Sequence, residues 1–254
     1  MTDLFEFQTA LLNHHTIAYR HDEPVQPRTN PNPPNLLFLP GFFSDMTGSK
    51  ASFLAARCVA SGRRLTRFDY RGHGKSSGKF ADGCIGDWLA DAIAVVDRLT
   101  TGKLILVGSS MGGWIMLLLA LARPDRVAGL VGIAAAPDFT QDLVWDMLTP
   151  VQKQELQSNG VLYEPSEYGD PLPYTLKLVK EGRKHLLLRS LIPIMCPVRL
   201  IKGRKDKDVP WQTAEKLAEQ LQSKDVRITY IEDGEHRLSR DTDLEILWEA
   251  VQSI

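Results

Sequence analysis

The sequence predicts an α/β fold in which a mostly parallel sheet carries helices on both faces. Short apolar segments without polar alternation recur along the chain, and segments of helical length separate them. Strands without alternation are buried on both faces, as in parallel sheets whose connections are helices. With 254 residues, of which 43% are hydrophobic and 24% charged, the chain can bury a large core, and we expect one domain over residues 1–254.

The first half of the chain supplies strands from apolar segments and helices from periodic ones. Strands are predicted at residues 16–20, 36–39, 64–70, 104–107 and 127–134. Helices are predicted at residues 49–61, 87–99 and 111–122. Trp88, Ala92 and Val96 share one helix face, and Pro124 ends the third helix because proline cannot continue it. The Pro- and Asn-rich residues 24–34 predict a solvated turn.

In the second half of the chain, predicted strands and helices again alternate after an inserted segment. Strands are predicted at residues 198–201 and 226–231, with a helix at 211–222 between them. A last helix is predicted from Thr242, with Glu245 as its capping-box partner. Residues 138–193, rich in proline and aromatic side chains, predict a small inserted helical cap. We expect Trp145 and Tyr174 of this cap, together with Phe43, to line a substrate pocket.

Charge and cysteine content exclude several classes of protein. Thirty basic and thirty-one acidic residues give a formal charge of −1, with no basic stripe for nucleic acid. The three cysteines are far apart and lack metal or disulfide spacing. No apolar stretch is long enough to span a membrane, and the N-terminus resembles neither a secretory signal nor a transit peptide. We therefore expect a cytoplasmic protein, or a mitochondrial matrix protein only if a leader has been removed. The oligomeric state stays open.

One pentapeptide predicts a nucleophilic serine. Gly108-Ser109-Ser110-Met111-Gly112 fits G-x-S-x-G and lies directly between a buried strand and a helix, where a nucleophile elbow must lie. The glycines permit the sharp turn that exposes the central hydroxyl. Ser110 is the predicted nucleophile, and Ser109 is the adjacent alternative. Without that context, a Gly/Ser-rich turn with a packing role would explain the motif equally well.

A serine nucleophile needs a base, and the base needs an orienting carboxylate. His236 follows the strand at 226–231, whereas His185 lies in the charged cap and His73 precedes the serine. His236 is therefore the predicted base. Asp206 and Asp208 both follow the strand at 198–201; Asp206 is preferred, and Asp208 is the alternative, with helix capping as its ordinary role.

Two backbone N–H groups are expected to stabilise the oxyanion of such a reaction. Met111 follows the nucleophile at a helix N-terminus, and Phe42 lies in the loop after an early strand, with Phe43 as the alternative. No metal and no cofactor are expected to take part.

Several longer segments carry a family resemblance. The chain resembles the α/β-hydrolase superfamily and, within it, alpha/beta-hydrolase domain-containing protein ten. The resemblance is carried by residues 67–70, 106–114, 122–124 and 196–200, together with Asp206, Val209-Pro210-Trp211 and His236-Arg237. The resemblance runs from about Leu36 to the C-terminus. It implies an acyl-protein thioesterase that also cleaves acyl glucuronides, with Ser110, Asp206 and His236 as its triad. The chain begins near the first strand without the leader of that family, which indicates a bacterial relative or a mature form.

The expected function is hydrolysis of carboxylic esters or thioesters through an acyl-enzyme on Ser110. The substrate would be a small acyl ester or an S-acylated molecule. A peptidase or C–C-bond hydrolase on the same triad is the alternative enzyme class. A non-catalytic binding module is disfavoured because all three triad members are present. Acyl-chain length and leaving group cannot be read from the sequence.

Overall fold

The computed structural model describes residues 7–24, 33–166 and 169–254. Most of the predicted turn at 24–34 (residues 25–32) lies outside the described residues. The strands are β1 (Gln8–Leu12), β2 (His15–Asp22), β3 (Asn35–Leu39), β4 (Leu65–Phe68), β5 (Leu104–Ser109), β6 (Val127–Ile133), β7 (Val161–Ser166), β8 (Gly169–Thr175), β9 (Val198–Gly203) and β10 (Val226–Ile231). The helices are α1 (Ser49–Ala60), α2 (Ile85–Leu99), α3 (Met111–Ala122), α4 (Pro150–Asn159), α5 (Leu176–Gly182), α6 (Gln212–Gln220) and α7 (Asp241–Gln252).

Eight strands form one sheet in the order β1-β2-β4-β3-β5-β6-β9-β10. The first two are antiparallel to their neighbours, and the other six run parallel. The predicted α/β architecture is therefore confirmed. Because β5, β9 and β10 are parallel, the loops that follow them meet at one edge of the sheet, and ligand sites of open α/β sheets form at such edges.

Helices cover both faces of this sheet and explain the unbroken apolar strands. On one face Trp88 of α2 and Trp114 of α3 pack into the larger apolar cluster. On the other face Leu54 of α1 and Trp248 of α7 belong to a second cluster. Successive β5 residues alternate between the two clusters, so every position of β5 is buried. A strand that is covered by apolar helices on both faces has no side chains facing solvent, so its sequence does not alternate between apolar and polar residues.

The chain leaves the sheet after β6 and returns at β9, and the residues between them form the cap. The expectation of a helical cap is incomplete. Besides α4 and α5, the cap contains an antiparallel hairpin of β7 and β8. Three prolines lie in this hairpin, and proline is tolerated there because both strands of a two-stranded ribbon are edge strands.

Asp138 fastens the start of the cap to its end. Its side chain is fully buried, and its carboxylate accepts the N–H groups of Leu187 and Leu188, each at 2.8 Å. Arg189 adds an ion pair at 2.6 Å. Asp138 also has a φ of +62°, a conformation that aspartate tolerates better than most residues. This carboxylate therefore ties the segment that enters the cap to the segment that leaves it.

Two further details differ from the sequence prediction. β1 was not predicted; it pairs with β2 at the edge of the sheet and is mostly exposed, which leaves little apolar pattern to find. The predicted capping box of Thr242 and Glu245 is wrong. The last helix begins at Asp241, so Asp243 receives the N–H of Arg240 at 3.0 Å, while Glu245 forms an ion pair with Arg57.

Candidate active site

Ser110 occupies a strained turn between β5 and α3. Its backbone has φ +53° and ψ −118°, outside the regions that L-residues ordinarily occupy. Hydrogen bonds hold this conformation: the Ser110 N–H donates to Ile133 O at 2.9 Å, and its carbonyl accepts from Gly113 and Ala136 at 2.8 and 3.1 Å. Strain of this kind persists only where the surroundings enforce it, and it concentrates at functional sites. The turn leaves Ser110 partly exposed, whereas Ser109 ends β5 and is buried.

The glycines of the motif are needed for close backbone packing. A Cβ added to Gly108 would lie 2.4 Å from the carbonyl oxygen of Gly112, and one on Gly112 would lie 2.0 Å from that of Leu39. Both distances are far below van der Waals contact. The pentapeptide therefore carries two steric requirements of the turn, which a generic Gly/Ser loop would not show.

His236 lies in the loop after β10 and contacts the serine directly. Its Nε2 is 3.0 Å from Ser110 Oγ, and its Nδ1 is 2.9 Å from Asp206 Oδ2. Both distances are within hydrogen-bonding range. The three side chains, which are separated by up to 126 residues, thus form a continuous serine–histidine–aspartate chain of hydrogen bonds.

Asp206 is held as an ionised carboxylate. Its side chain is fully buried, and Oδ1 accepts the N–H groups of Asp208 and Val209 at 3.0 and 2.9 Å. Burial alone would raise the pKa of Asp206, but the hydrogen bond and charge of His236, and then those of Lys202, lower the pKa below its ordinary value. Asp208, the alternative considered from the sequence, supplies a backbone N–H to Asp206 while its own side chain is exposed.

Lys202 is a member of this cluster that the sequence analysis missed. It lies near the end of β9, its side chain is 1% exposed, and its Nζ forms an ion pair with Asp206 Oδ2. Burial lowers the pKa of Lys202 more than the attraction of Asp206 raises it. A lysine near the end of a mostly apolar strand, four positions before the aspartate, was the available signal.

Comparison with known proteins agrees with this geometry. Residues 34–165 match the family model described as alpha/beta hydrolase fold. The mitochondrial palmitoyl-protein thioesterase ABHD10 of Bos taurus is 39% identical over 218 residues, which cover 84% of this chain and 70% of the relative. The human protein of the same name is 38% identical over 216 residues, with the same coverage. The chain belongs to the alpha/beta hydrolase family.

Two solved structures of alpha/beta hydrolases are similar over nearly the whole chain. A hydrolase from Agrobacterium vitis superposes with a TM-score of 0.92 at 39% identity, covering 98% of each chain. Alpha/beta hydrolase domain-containing protein 10 from mouse superposes with a TM-score of 0.87 at 33% identity, again covering 98% of each chain. These two structures and the relatives show that this hydrolase is an enzyme that cleaves ester or thioester bonds.

Two cavities of this hydrolase meet at Ser110 and His236. The larger, of about 600 Å³, lies under the cap and is lined by a majority of apolar residues, with Gln152, Glu164 and Asp208 also in its wall. Its cap residues include Phe139, Leu143, Val144, Met147, Leu148, Leu172 and Tyr174. The smaller, of about 340 Å³, is lined by more polar side chains from the loop before α1, the start of α1 and the loop after His236. Lys50, Arg237 and Ser239 are among them.

The predicted pocket residues have different positions. Tyr174 lines the larger cavity and stacks on Phe42 with ring centroids 5.5 Å apart. Phe43 lines the smaller cavity. Trp145 lines neither of these two cavities. The cations of Arg183 and Lys153 lie 4.9 and 5.5 Å from the centroid of its ring, while its neighbour Val144 contributes to the larger cavity.

The predicted oxyanion donors, Phe42 and Met111, flank Ser110. Met111 is the first residue of α3, so its N–H has no acceptor within the helix. A Cβ added to Gly41 would lie 3.3 Å from Ser109 O and 3.5 Å from Ser110 Cβ, which shows that the loop containing Phe42 runs against the elbow. Both residues line the larger cavity beside Ser110.

The other candidate histidines have structural contacts. His73 is buried against the rings of Tyr70, Phe80 and Trp88, and burial lowers its pKa to about 4. His185 bonds to Glu181 within the cap at 2.6 Å.

One group of side chains has the composition of a metal site. Among the described residues, Asp206, Asp208 and His236 offer ligand atoms within 4.8 Å of one another. Both nitrogens of His236 are already within hydrogen-bond distance of Ser110 and Asp206, so a cation would have to displace these contacts.

Within the described ranges, no helix has both the length and the apolar composition that a membrane span requires.

Proposed function

We propose that this hydrolase acts through an acyl-enzyme on Ser110, with His236 as base and then acid, and Asp206 as the group that orients His236. The observation that carries the proposal is the hydrogen-bonded chain from Ser110 Oγ through both nitrogens of His236 to Asp206 Oδ2. Each group has the partner that its role requires: the nucleophile touches a base, and the base touches a buried carboxylate.

The steps follow from this arrangement. His236 Nε2 takes the proton of Ser110 Oγ as the oxygen attacks the acyl carbon, and Asp206 stabilises the imidazolium that forms. The negative charge passes to the carbonyl oxygen, where the N–H groups of Met111 and Phe42 are the proposed donors. When the tetrahedral intermediate collapses, the C–O or C–S bond breaks and His236 protonates the leaving oxygen or sulfur. Water then repeats the sequence and releases the acid.

The two cavities suggest how a substrate divides across Ser110. An acyl chain fits the larger, mostly apolar cavity, because burial of each methylene contributes about 0.8 kcal/mol. The leaving group fits the more polar cavity on the other side of Ser110. The names of the relatives describe palmitoyl-protein thioesterases, which supports a thioester with a long acyl chain as the preferred substrate. Kinetically, each added methylene would then raise kcat/KM about fourfold until the cavity is full.

The cysteines support a reducing compartment. Cys58, Cys84 and Cys196 are all free, and burial raises the pKa of each thiol. The cytoplasm keeps thiols reduced. The named relatives are mitochondrial, so the proposed location is the cytoplasm or the mitochondrial matrix.

Matched oxyesters and thioesters of two to sixteen acyl carbons test the proposal. We expect turnover that rises with chain length, and a fluorophosphonate probe that labels Ser110. Ser110→Ala should reduce kcat/KM by about 10⁴-fold or more and abolish labelling. Ser109→Ala is the matched control, since it removes the neighbouring hydroxyl, and it should retain labelling. Labelling of Ser110→Ala, or its undiminished turnover, would contradict the assignment of the nucleophile.

A further inference from the structure

Lys202 shares a single carboxylate oxygen with His236. Its Nζ and the Nδ1 of His236 both bind Oδ2 of Asp206, while Oδ1 is occupied by the amides of Asp208 and Val209. The side chains of Lys202 and Asp206 are 1% and 0% exposed. Asp206 therefore accepts from four donors, one of which is a buried cation that the serine–histidine–aspartate chain by itself does not require.

A buried lysine is costly, and apart from Arg199, which pairs with Asp225, the other residues of this strand are apolar. Val198, Leu200 and Ile201 of β9 are all buried core residues. A lysine that served only to hold the loop after β9 would duplicate contacts already made there, because the backbone amides of Asp208 and Val209 already fix Asp206, and Lys205 N–H bonds to Gly234 O at 2.9 Å. The position of the charge is therefore the informative feature.

The other charged groups near His236 lie on several elements. Asp206 and Asp208 approach its ring from the loop after β9, with ligand atoms within 4.8 Å. Lys50 of α1 donates to the carbonyl of Arg237, and Arg237 and Glu235 flank His236 in its own loop. Lys202 differs from the other cations here in being almost fully buried, and solvent screens a buried charge much less than an exposed one.

We propose that Lys202 is a positioning residue of the active site, which holds Oδ2 of Asp206 and, through its charge, sets the pH range in which His236 acts as a base. This inference rests on the proposed roles of Ser110, His236 and Asp206. The lysine partly neutralises the carboxylate that stabilises the imidazolium. His236 consequently stays unprotonated, and competent as a base, to lower pH than it would beside Asp206 alone.

The size of the effect follows from the shared oxygen. Two donors that bind one oxygen lie about 4 to 5 Å apart. At that separation and an effective dielectric constant of about 20 to 40, a unit charge shifts the protonation midpoint of its neighbour by about one to three pH units. Loss of the charge should move the acidic limb of the kcat/KM profile to higher pH by that amount.

The test compares pH profiles of Lys202→Met and Lys202→Gln with the unaltered enzyme. Met keeps the length of the side chain without charge, and Gln also keeps an N–H donor. Release of the acid from a neutral acyl ester is measured by chromatography from pH 4.5 to 9, so the readout does not itself titrate. Lys207→Met is the matched control: it removes an exposed charge next to Asp206 and should move the midpoint by less than about 0.3 unit. Thermal unfolding checks that each variant is folded.

We expect both Lys202 variants to label with fluorophosphonate above their new midpoint, with the acidic limb raised by about one to three units. An unchanged midpoint at reduced activity would overturn the proposal and leave Lys202 a purely structural contact. If neither uncharged variant folds while Lys202→Arg does, the charge serves folding, and the proposal is likewise overturned. Failure of Ser110 itself to label would instead refute the proposed function, so the two failures are distinguishable.

Discussion

Replacement of Asp206 by asparagine tests the most buried member of the serine–histidine–aspartate chain. Asn can keep an oxygen where Oδ1 accepts the Asp208 and Val209 amides, at 3.0 and 2.9 Å. Its NH₂ group then replaces Oδ2 and faces two donors, His236 Nδ1 and Lys202 Nζ. His236 can relieve this only by moving its proton to Nε2, where it points at Ser110 Oγ. In that tautomer the ring cannot accept the serine proton.

The expected loss is therefore large. A wrong tautomer with otherwise intact geometry reduces catalysis about 10³- to 10⁴-fold, which corresponds to about 4 to 5.5 kcal/mol of transition-state stabilisation. Stability also falls, because Lys202 is left buried beside a neutral partner, and removal of one member of a buried ion pair costs about 3 to 5 kcal/mol. We expect kcat/KM for a thioester to drop by this factor in protein that circular dichroism shows to be folded.

Asp208→Asn is the matched control for this variant. It makes the same chemical change two residues away, on an exposed side chain that contributes only its backbone N–H to Asp206. We expect its kcat/KM to stay within about fivefold, as for a screened surface charge. If Asp206→Asn retained activity within tenfold of the unaltered enzyme, or if Asp208→Asn lost as much, the assignment of Asp206 would be refuted.

Two further predictions concern the cavity and stability in acid. Leu148→Trp should fill part of the larger cavity and shift the optimum of acyl-chain length toward shorter acyl groups. Trp145→Ala, which alters a residue outside the cavity, should leave this optimum unchanged. A matched series of esters measures the optimum of both variants. The pKa of His73 is lowered to about 4 from an ordinary 6.5, so the unfolded chain binds its proton first and stability falls as pH drops from about 6.5 to 4. Urea titrations measure the free energy of unfolding at pH 7 and at pH 5. His73→Gln should make the difference between these two values smaller by about 2 kcal/mol, and an unchanged difference would contradict the role of burial.

Much of the fold was available from local patterns. The unbroken apolar strand before Ser110 and the apolar helix after it predict their own burial, since a strand or helix covered on all sides has no polar face. Helix α3 was predicted with its observed bounds because Pro124 fixes its end. The hairpin of β7 and β8 was missed, because its stability comes from pairing within the cap and not from a period in the sequence.

The sequence by itself determined the class of chemistry. The motif around Ser110 and the order serine, aspartate, histidine are local or ordinal features, and a strand–turn–helix context restricts them enough to predict an active site. His236 followed because few histidines remain after Ser110 in the chain.

Only the tertiary structure decided which side chains touch. Asp206 and Asp208 both follow β9 in the sequence, and the turn after β9 directs one carboxylate inward to His236 and leaves the other exposed. The same turn brings Asp206 onto Lys202, so that a buried strand residue joins the cluster of Ser110, His236 and Asp206. Trp145 faces two cations outside the cavity because its position in the cap depends on packing. Contacts between distant residues depend on how strands, loops and cap are placed in space, which no local pattern encodes.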